Sequence, residues 1–257
     1  MAWGCFCWIP CPYKKWNDDD RDAMVAMLPL VGTGLGLITG LVWATLNALG
    51  AQPILAGAVV TAAYFVMTGF IHLDGFMDVC DAVMPRHPDL QVRRRILKDP
   101  HTGSFAAVSM ALMFLIFAAS AASLSSLWTE GALVLIAVAT TSRCMSAVTV
   151  LSCRPMETSQ YVTTDFGKGG SSAKAAAAMI ITAAVLAGCA IVSMQGLIQM
   201  DPAVCILAAA AVCAITAGII GALDRRALGG MNGDISGHMI TSGEMAGILA
   251  AALLTGM

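Results

Sequence analysis

Charge is scarce in this chain and absent over long stretches: Asp, Glu, Lys and Arg make up 12% of 257 residues, and none of them occurs from Ala23 to Leu73. With 58% hydrophobic residues and a mean hydropathy of +0.79, the sequence cannot cover a soluble domain with polar surface. An excess of positive charge is missing too, since 14 basic against 16 acidic residues leave a net charge of −2. That balance excludes a nucleic-acid binder and a polybasic membrane sensor. The nine cysteines sit mostly in apolar stretches as small buried hydrophobes, and Cys5, Cys7 and Cys11 match no familiar zinc spacing. No linker, low-complexity tract or internal repeat divides the chain, so residues 1–257 are expected to form one integral membrane domain.

What is present is a series of apolar runs, each near the roughly 20 residues that a bilayer-spanning helix requires. The run from 23 to 73 holds two spans turning near Gly50 to Pro53, and four more follow at Phe105 to Leu127, Gly131 to Cys153, Ala175 to Leu197 and Pro202 to Leu223. Asp201 before Pro202 reads as a cap and first turn. The tail from Met239 to Met257 is apolar but broken by Glu244, which leaves a seventh span, a partial one or an interfacial helix open. The expected fold is therefore all-α, a polytopic bundle of six to seven transmembrane helices. Residues 1–22, with Trp3, Trp8, Tyr13 and Trp16, lack the order of a signal peptide and suit an interfacial anchor.

The basic residues fall on one side of such a bundle: Lys14, Lys15 and Arg21; Arg86, Arg93, Arg94, Arg95 and Lys98; Arg143, Arg154, Lys168 and Lys174; Arg225 and Arg226. The turns near residues 50, 129 and 200 carry none. By the positive-inside rule the N-terminus and the loops around 72–104, 154–174 and 224–238 face the cytoplasm, which predicts a multi-pass protein of the cytoplasmic membrane with its polar site on the inner side.

Within the first of those loops, HLDGFMDVCDAV at 72–83 places Asp74, Asp78 and Asp81 four and then three residues apart. At 100° per residue the second and third acids lie about 40° and about 20° to either side of the first, on one helix face about 10 Å long. A solvated face would mix such acids with Lys or Arg one turn on, yet none occurs between His72 and Pro85. Hard oxygen ligands at this spacing suit Mg²⁺, which takes one or two carboxylates and completes its shell with water and substrate phosphate. His72 lies about 200° round a regular helix from Asp74 and reaches the same site only where the chain is irregular. Lys98 and Asp99, at the lip of the next span, are further candidates, the lysine as a point charge for phosphate. The triplet Arg93, Arg94 and Arg95 reads as a topology signal or headgroup contact. Arg143, buried in an apolar span, needs a partner or a polar cavity, and Glu244 is an acid that could supply the partner. In the glycine-rich stretch from Asp224 to Glu244, Gly229, Gly230, Asn232 and Asp234 offer a loop whose backbone N–H groups could turn toward a phosphate, without matching a Walker loop.

Four islands, PLVGTGLG at 29–36, HLDGFMDVCDAV at 72–83, KDPHTGSF at 98–105, and LGGMNGDISG at 228–237 followed by Glu244, resemble the cobalamin synthase family, the adenosylcobinamide-GDP ribazoletransferases. The resemblance implies a membrane enzyme that joins adenosylcobinamide-GDP to α-ribazole or its 5′-phosphate, releases GMP and requires Mg²⁺. It departs at CRPMETSQY (153–161), where members carry a Pro-Tyr-Ala-Arg-like motif, and Arg154 is the matching basic residue. On this basis Asp74, Asp78 and Asp81 are expected to hold Mg²⁺, with Asp81 or Asp99 as proton acceptor and His72 and Lys98 in the catalytic set. Arg143, Gly229, Gly230, Asn232, Asp234 and Glu244 are expected to contact substrate. The partners implied are those two substrates and the lipid bilayer, with no nucleic acid; an oligomer is compatible with the composition. Two other Asp-Mg²⁺ transferase classes fit less well. Asp78 and Val79 stand where CDP-alcohol phosphotransferases have Ala and Arg, and Met77 stands where an Asn-Asp-x2-Asp prenyltransferase box has Asn. An ion-coupled transporter would place its acids near the midplane of an inverted repeat.

Overall fold

In the computed structural model, residues 1–11, 16–124, 128–157, 159, 171–193 and 202–255 are described. Lys14, Lys15, Tyr13, Tyr161, Lys168 and the capping Asp201 lie outside them, as do the expected span ends Leu127 and Leu197. The protein is all-α. A short α1 (Ala2–Phe6) and, after a 3₁₀ turn at Asp18–Asp20, α2 (Arg21–Ala26) precede α3 (Leu28–Ala48) and α4 (Pro53–Met67). Then come α5 (Ile71–Val83), α6 (Leu90–Ile96), α7 (Ser104–Ser123), α8 (Trp128–Ser152), α9 (Ser171–Ser193), α10 (Pro202–Leu228) and α11 (Gly233–Thr255).

Six helices, α3 and α7 to α11, are long and apolar enough to cross a bilayer, which makes this a multi-pass membrane protein. The tail that broke at Glu244 belongs to α11, a full-length span of 23 residues. The expected second span is different: α4 ends at Met67 and α5 leaves it at 91°, so the two form a bent pair, a broken span or a re-entrant loop. The break is made by backbone conformation. Gly69 and Phe70 are left-handed at φ 59° and 61°, a state that a phenylalanine adopts at a cost of about 1–2 kcal/mol. The Trp8 N–H donates to the Met67 carbonyl at 2.6 Å and the Phe70 N–H to the Phe65 carbonyl at 3.1 Å, which offsets that cost and ties the N-terminal segment to the bend.

Without a hydrophobic drive between helices in lipid, close approach of small residues must hold them together. Gly32, Gly36 and Gly40 line one stripe of α3, where a Cβ at Gly32 would run into the Ala139 carbonyl oxygen of α8. The central helix is α8, 78% of whose spanning window is buried against 22% for α9. Leucines and isoleucines such as Leu41, Ile54, Leu115, Ile180 and Ile215 are exposed and form the lipid-facing surface.

The ends that carry the basic residues are stitched to one another. Arg94 Nε donates to the Leu228 carbonyl at 2.9 Å, the Met231 N–H to the Arg154 carbonyl at 3.0 Å, and the Met156 N–H to the Met231 carbonyl at 2.8 Å. Lys174 at the start of α9 pairs with Asp22 of α2. One end of the bundle is thus basic and polar, and α5 leads to it.

Candidate active site

The polar face of α5 meets the first turn of α11 because Gly75 has no side chain. A Cβ there would stand 2.8 Å from the Cα and carbonyl oxygen of Asp234. This approach adds Asp234 to the acids of α5, and the charges of Asp74, Asp234 and Asp81 all bear on half-buried Asp78. Asn232 fixes the new member: its Oδ1 accepts from the Ile235 N–H at 3.0 Å, capping α11, and its Nδ2 donates to Asp234 Oδ2 at 2.6 Å. Gly75→Ala is expected to cost about 1–3 kcal/mol by forcing the two backbones apart, and to move Asp234 from Asp74. A lowered thermal midpoint in detergent, with turnover falling at temperatures where the variant is still folded, would show both.

Asp81 has a use that its spacing did not reveal. Its Oδ2 accepts from the Gly103 N–H at 2.6 Å and its Oδ1 from the Ala106 N–H at 2.9 Å, so it caps α7, whose own cap position is a glycine. Among the described residues, no three His, Cys, Asp or Glu side chains converge closely enough to cage a metal ion by themselves. The donors on α5 are carboxylate oxygens, the ligand type that suits a hard cation completed by water and phosphate, and among the described residues Asp74 and Asp78 serve no backbone cap.

Beside these acids lies a cavity of about 410 Å³. Asp74, His72 and Ile71 of α5 and Gly233, Asp234 and Ser236 of α11 form one side, and Cys5, Phe6, Trp16, Arg21, Met24 and Val25 the other. His72 turns away from the acid face as its helix angle predicts, yet reaches the cavity from the broken start of α5; its ring is buried and stacks on Phe6 with centroids 6.1 Å apart. The N-terminal wall escaped sequence reasoning, which took those aromatics for an interfacial anchor.

Arg143 and Glu244 pair with each other instead of lining the cavity. Both are buried, and Glu244 Oε1 also accepts from the Tyr64 hydroxyl at 2.5 Å and from Ser142 Oγ at 2.7 Å. The partnership was legible as one option for a buried arginine; Tyr64 carried no signal. Asp224 and His238, 2.7 Å apart and unassigned by the sequence, form a polar contact between α10 and α11.

The remaining expected residues sit apart from the cavity. Gly229 and Gly230 have φ of 80° and 154°, and their loop is pinned between Arg94 and the Arg154–Met156 strand-like contact, so its polar groups serve a junction between helices. Lys98 and Asp99 are exposed on the loop before Gly103. Hydrogen bonds from the His101 N–H at 3.0 Å and ring at 2.7 Å hold the Asp99 carboxyl below the ordinary carboxylate range.

The sequence matches the family described as cobalamin-5-phosphate synthase over residues 1–252. An adenosylcobinamide-GDP ribazoletransferase of Clostridium botulinum (strain Alaska E43 / Type E3) is 29% identical over 260 residues, covering 99% of this chain and 96% of its own. A protein of the same name from Clostridium perfringens (strain SM101 / Type A) is 29% identical over 255 residues, with 99% and 96% covered. One from Trichormus variabilis is 35% identical over 108 residues, 42% of this chain and 41% of its own. No solved structure matches.

Proposed function

We propose, since the chain belongs to the cobalamin-5-phosphate synthase family, that it transfers the adenosylcobinamide-phosphate group of adenosylcobinamide-GDP to α-ribazole or its 5′-phosphate. The ribose 3′-hydroxyl oxygen forms a bond to the phosphorus next to the cobinamide, the bridging P–O bond of the diphosphate breaks, and GMP leaves. The observation that carries this reading is the approach of Asp234 of α11 to the acid face of α5, where Asp74 and Asp234 line a cavity at the basic end of the bundle and both act on Asp78.

Phosphoryl transfer is mostly positioning and charge neutralisation. Mg²⁺, held by Asp74 and Asp78 with Asp81 adjoining, would neutralise the diphosphate and the departing GMP. Asp234, which lines the cavity next to Asp74, is the carboxylate best set to take the proton of the attacking hydroxyl. It replaces Asp81, whose oxygens serve α7, and Asp99, which His101 occupies at the surface. Asn232 orients Asp234, and His72 faces the acceptor. Lys98 adds positive charge at the approach to the site, while the Arg143–Glu244 pair holds the helices that carry it. The positive-inside pattern puts all of this on the cytoplasmic side of the cytoplasmic membrane, where nucleotides are available.

Purified protein in detergent, given adenosylcobinamide-GDP and α-ribazole, is expected to release GMP only when both substrates and Mg²⁺ are present, and to stop on chelation. Solute uptake by proteoliposomes without any GMP formed would overturn the assignment in favour of transport.

A further inference from the structure

We infer that the cavity between the N-terminal segment and the first turns of α5 and α11 is the acceptor subsite, binding a ribose that carries a planar base, and that the corrinoid diphosphate stays outside it. The inference rests on the transfer proposed above and adds which half of the reaction the cavity serves.

Size is the first argument. A volume of about 410 Å³ is in the lower part of the range for pockets that enclose one drug-sized ligand, which suits a single nucleoside and is far too small for a corrin ring with its nucleotide. The walls are the second. Phe6 and Trp16 are aromatic walls, Phe6 with one face on the His72 ring at 6.1 Å and Trp16 with the Arg21 guanidinium 5.8 Å from its ring, and a planar base would stack on the faces turned from those partners.

A buried polar group waiting for a partner is the third. His72 is 6% exposed, lines the cavity, and its Nε2 has no hydrogen-bond partner among the described residues. A buried imidazole nitrogen left unpaired is costly, and a small turn of the ring that uncovers Nε2 would let a ring nitrogen or hydroxyl of a bound nucleoside satisfy it. Charge supplies the fourth. Asp74 and Asp234 form the acidic side of the cavity, whose oxygens accept hydrogen bonds from neutral ribose hydroxyls. Arg21 is the cation of the opposite wall and gives a single 5′-phosphate one point of attachment, so the nucleoside and its 5′-phosphate share the site. The ribose then meets the same carboxylates that border the diphosphate, and the base points toward the N-terminal segment.

The segment before α3 is therefore a specificity element for the acceptor. Equilibrium dialysis of labelled α-ribazole against the full chain in detergent, with no second substrate, tests this alongside steady-state GMP release. Phe6→Ala is expected to weaken α-ribazole binding and raise its KM by about 10-fold, the loss expected for one stacking face, while the KM for adenosylcobinamide-GDP stays within about 2-fold. Phe6→Tyr should restore both values, and the 5′-phosphate should show the same Phe6 dependence. Unchanged α-ribazole binding in Phe6→Ala, or a KM rise confined to the corrinoid substrate, would overturn the assignment. A rise for both substrates that Phe6→Tyr does not reverse would count against it equally. Wild-type protein that binds α-ribazole in a Phe6-dependent way without releasing GMP would instead defeat the transfer reading and leave the subsite standing.

Discussion

Asp78→Asn lowers GMP release by at least about 100-fold, and Asp74→Asn does the same, because each removes a negative charge from the centre of the site while keeping the side chain's shape. Asp78 feels the charges of Asp74, Asp81 and Asp234. Such a cluster resists burial unless a cation or a protonated group offsets it, and the isosteric amide abolishes the attraction for a cation without opening a cavity. Asp81→Asn behaves differently. Its carboxylate is committed to the Gly103 and Ala106 N–H groups, and an asparagine keeps one acceptor for them. That variant should retain most of its turnover, whereas Asp81→Ala should lose about 1 kcal/mol of stability with the cap of α7. The measurement is GMP formed at saturating substrate by variants shown to be monodisperse in detergent. Near-normal turnover in both Asp74→Asn and Asp78→Asn would sink the cation assignment, and an Asp81→Asn protein as impaired as they are would return Asp81 to the chemistry.

The difference between Asp81 and its neighbours marks where sequence reasoning stops. Spacing alone puts Asp74, Asp78 and Asp81 on one face, since it depends only on helix geometry. What each carboxylate touches depends on where α7 and α11 arrive, and those contacts join residues 22 and 25 positions apart in the case of Asp81. Asp234 was legible as a polar residue in a glycine-rich stretch, but its place among the acids follows from the Gly75 contact, a property of two packed backbones. The spans were readable because apolar length is a local quantity. The break between α4 and α5 was not, because hydropathy is continuous across Gly69 and Phe70 and the bend is secured by Trp8 from another part of the chain. The same long-range tie turns an apparent anchor into a cavity wall. Arg143 is the converse case: the cost of burying a lone guanidinium announces that an acid must be near, and the apolar tail contains a single one, Glu244.

Glu244→Ala should destabilise the folded bundle by about 3–5 kcal/mol, the loss expected when one partner of a buried ion pair is removed and the other charge stays behind. Arg143 is fully buried, and its Nη1 spends its contacts on Glu244, Tyr64, Ser142 and the Ala139 carbonyl. Without the carboxylate the guanidinium has no other ion pair among the described residues, and reaching polar groups at either end would require moving the central helix. Arg143→Met alone should be less damaging, because the acid it leaves can take up a proton while the Tyr64 and Ser142 hydroxyls remain to satisfy it. The paired variant Arg143→Met with Glu244→Leu should recover much of the loss, since apolar side chains of similar volume can replace a buried pair at little cost. Tyr64→Phe removes one donor and should cost about 1–2 kcal/mol. Thermal midpoints followed by retention of the monodisperse peak in detergent give the comparison, and strict additivity of the two single losses in the paired variant would show that the residues do not act as a pair. Binding of α-ribazole separates the two roles that sequence left open. If the pair only holds α4, α8 and α11 together, the paired variant binds α-ribazole normally at temperatures where it is folded. Loss of binding by a folded paired variant would mean that the buried arginine reaches the acceptor through His72, whose ring lies within its electrostatic range.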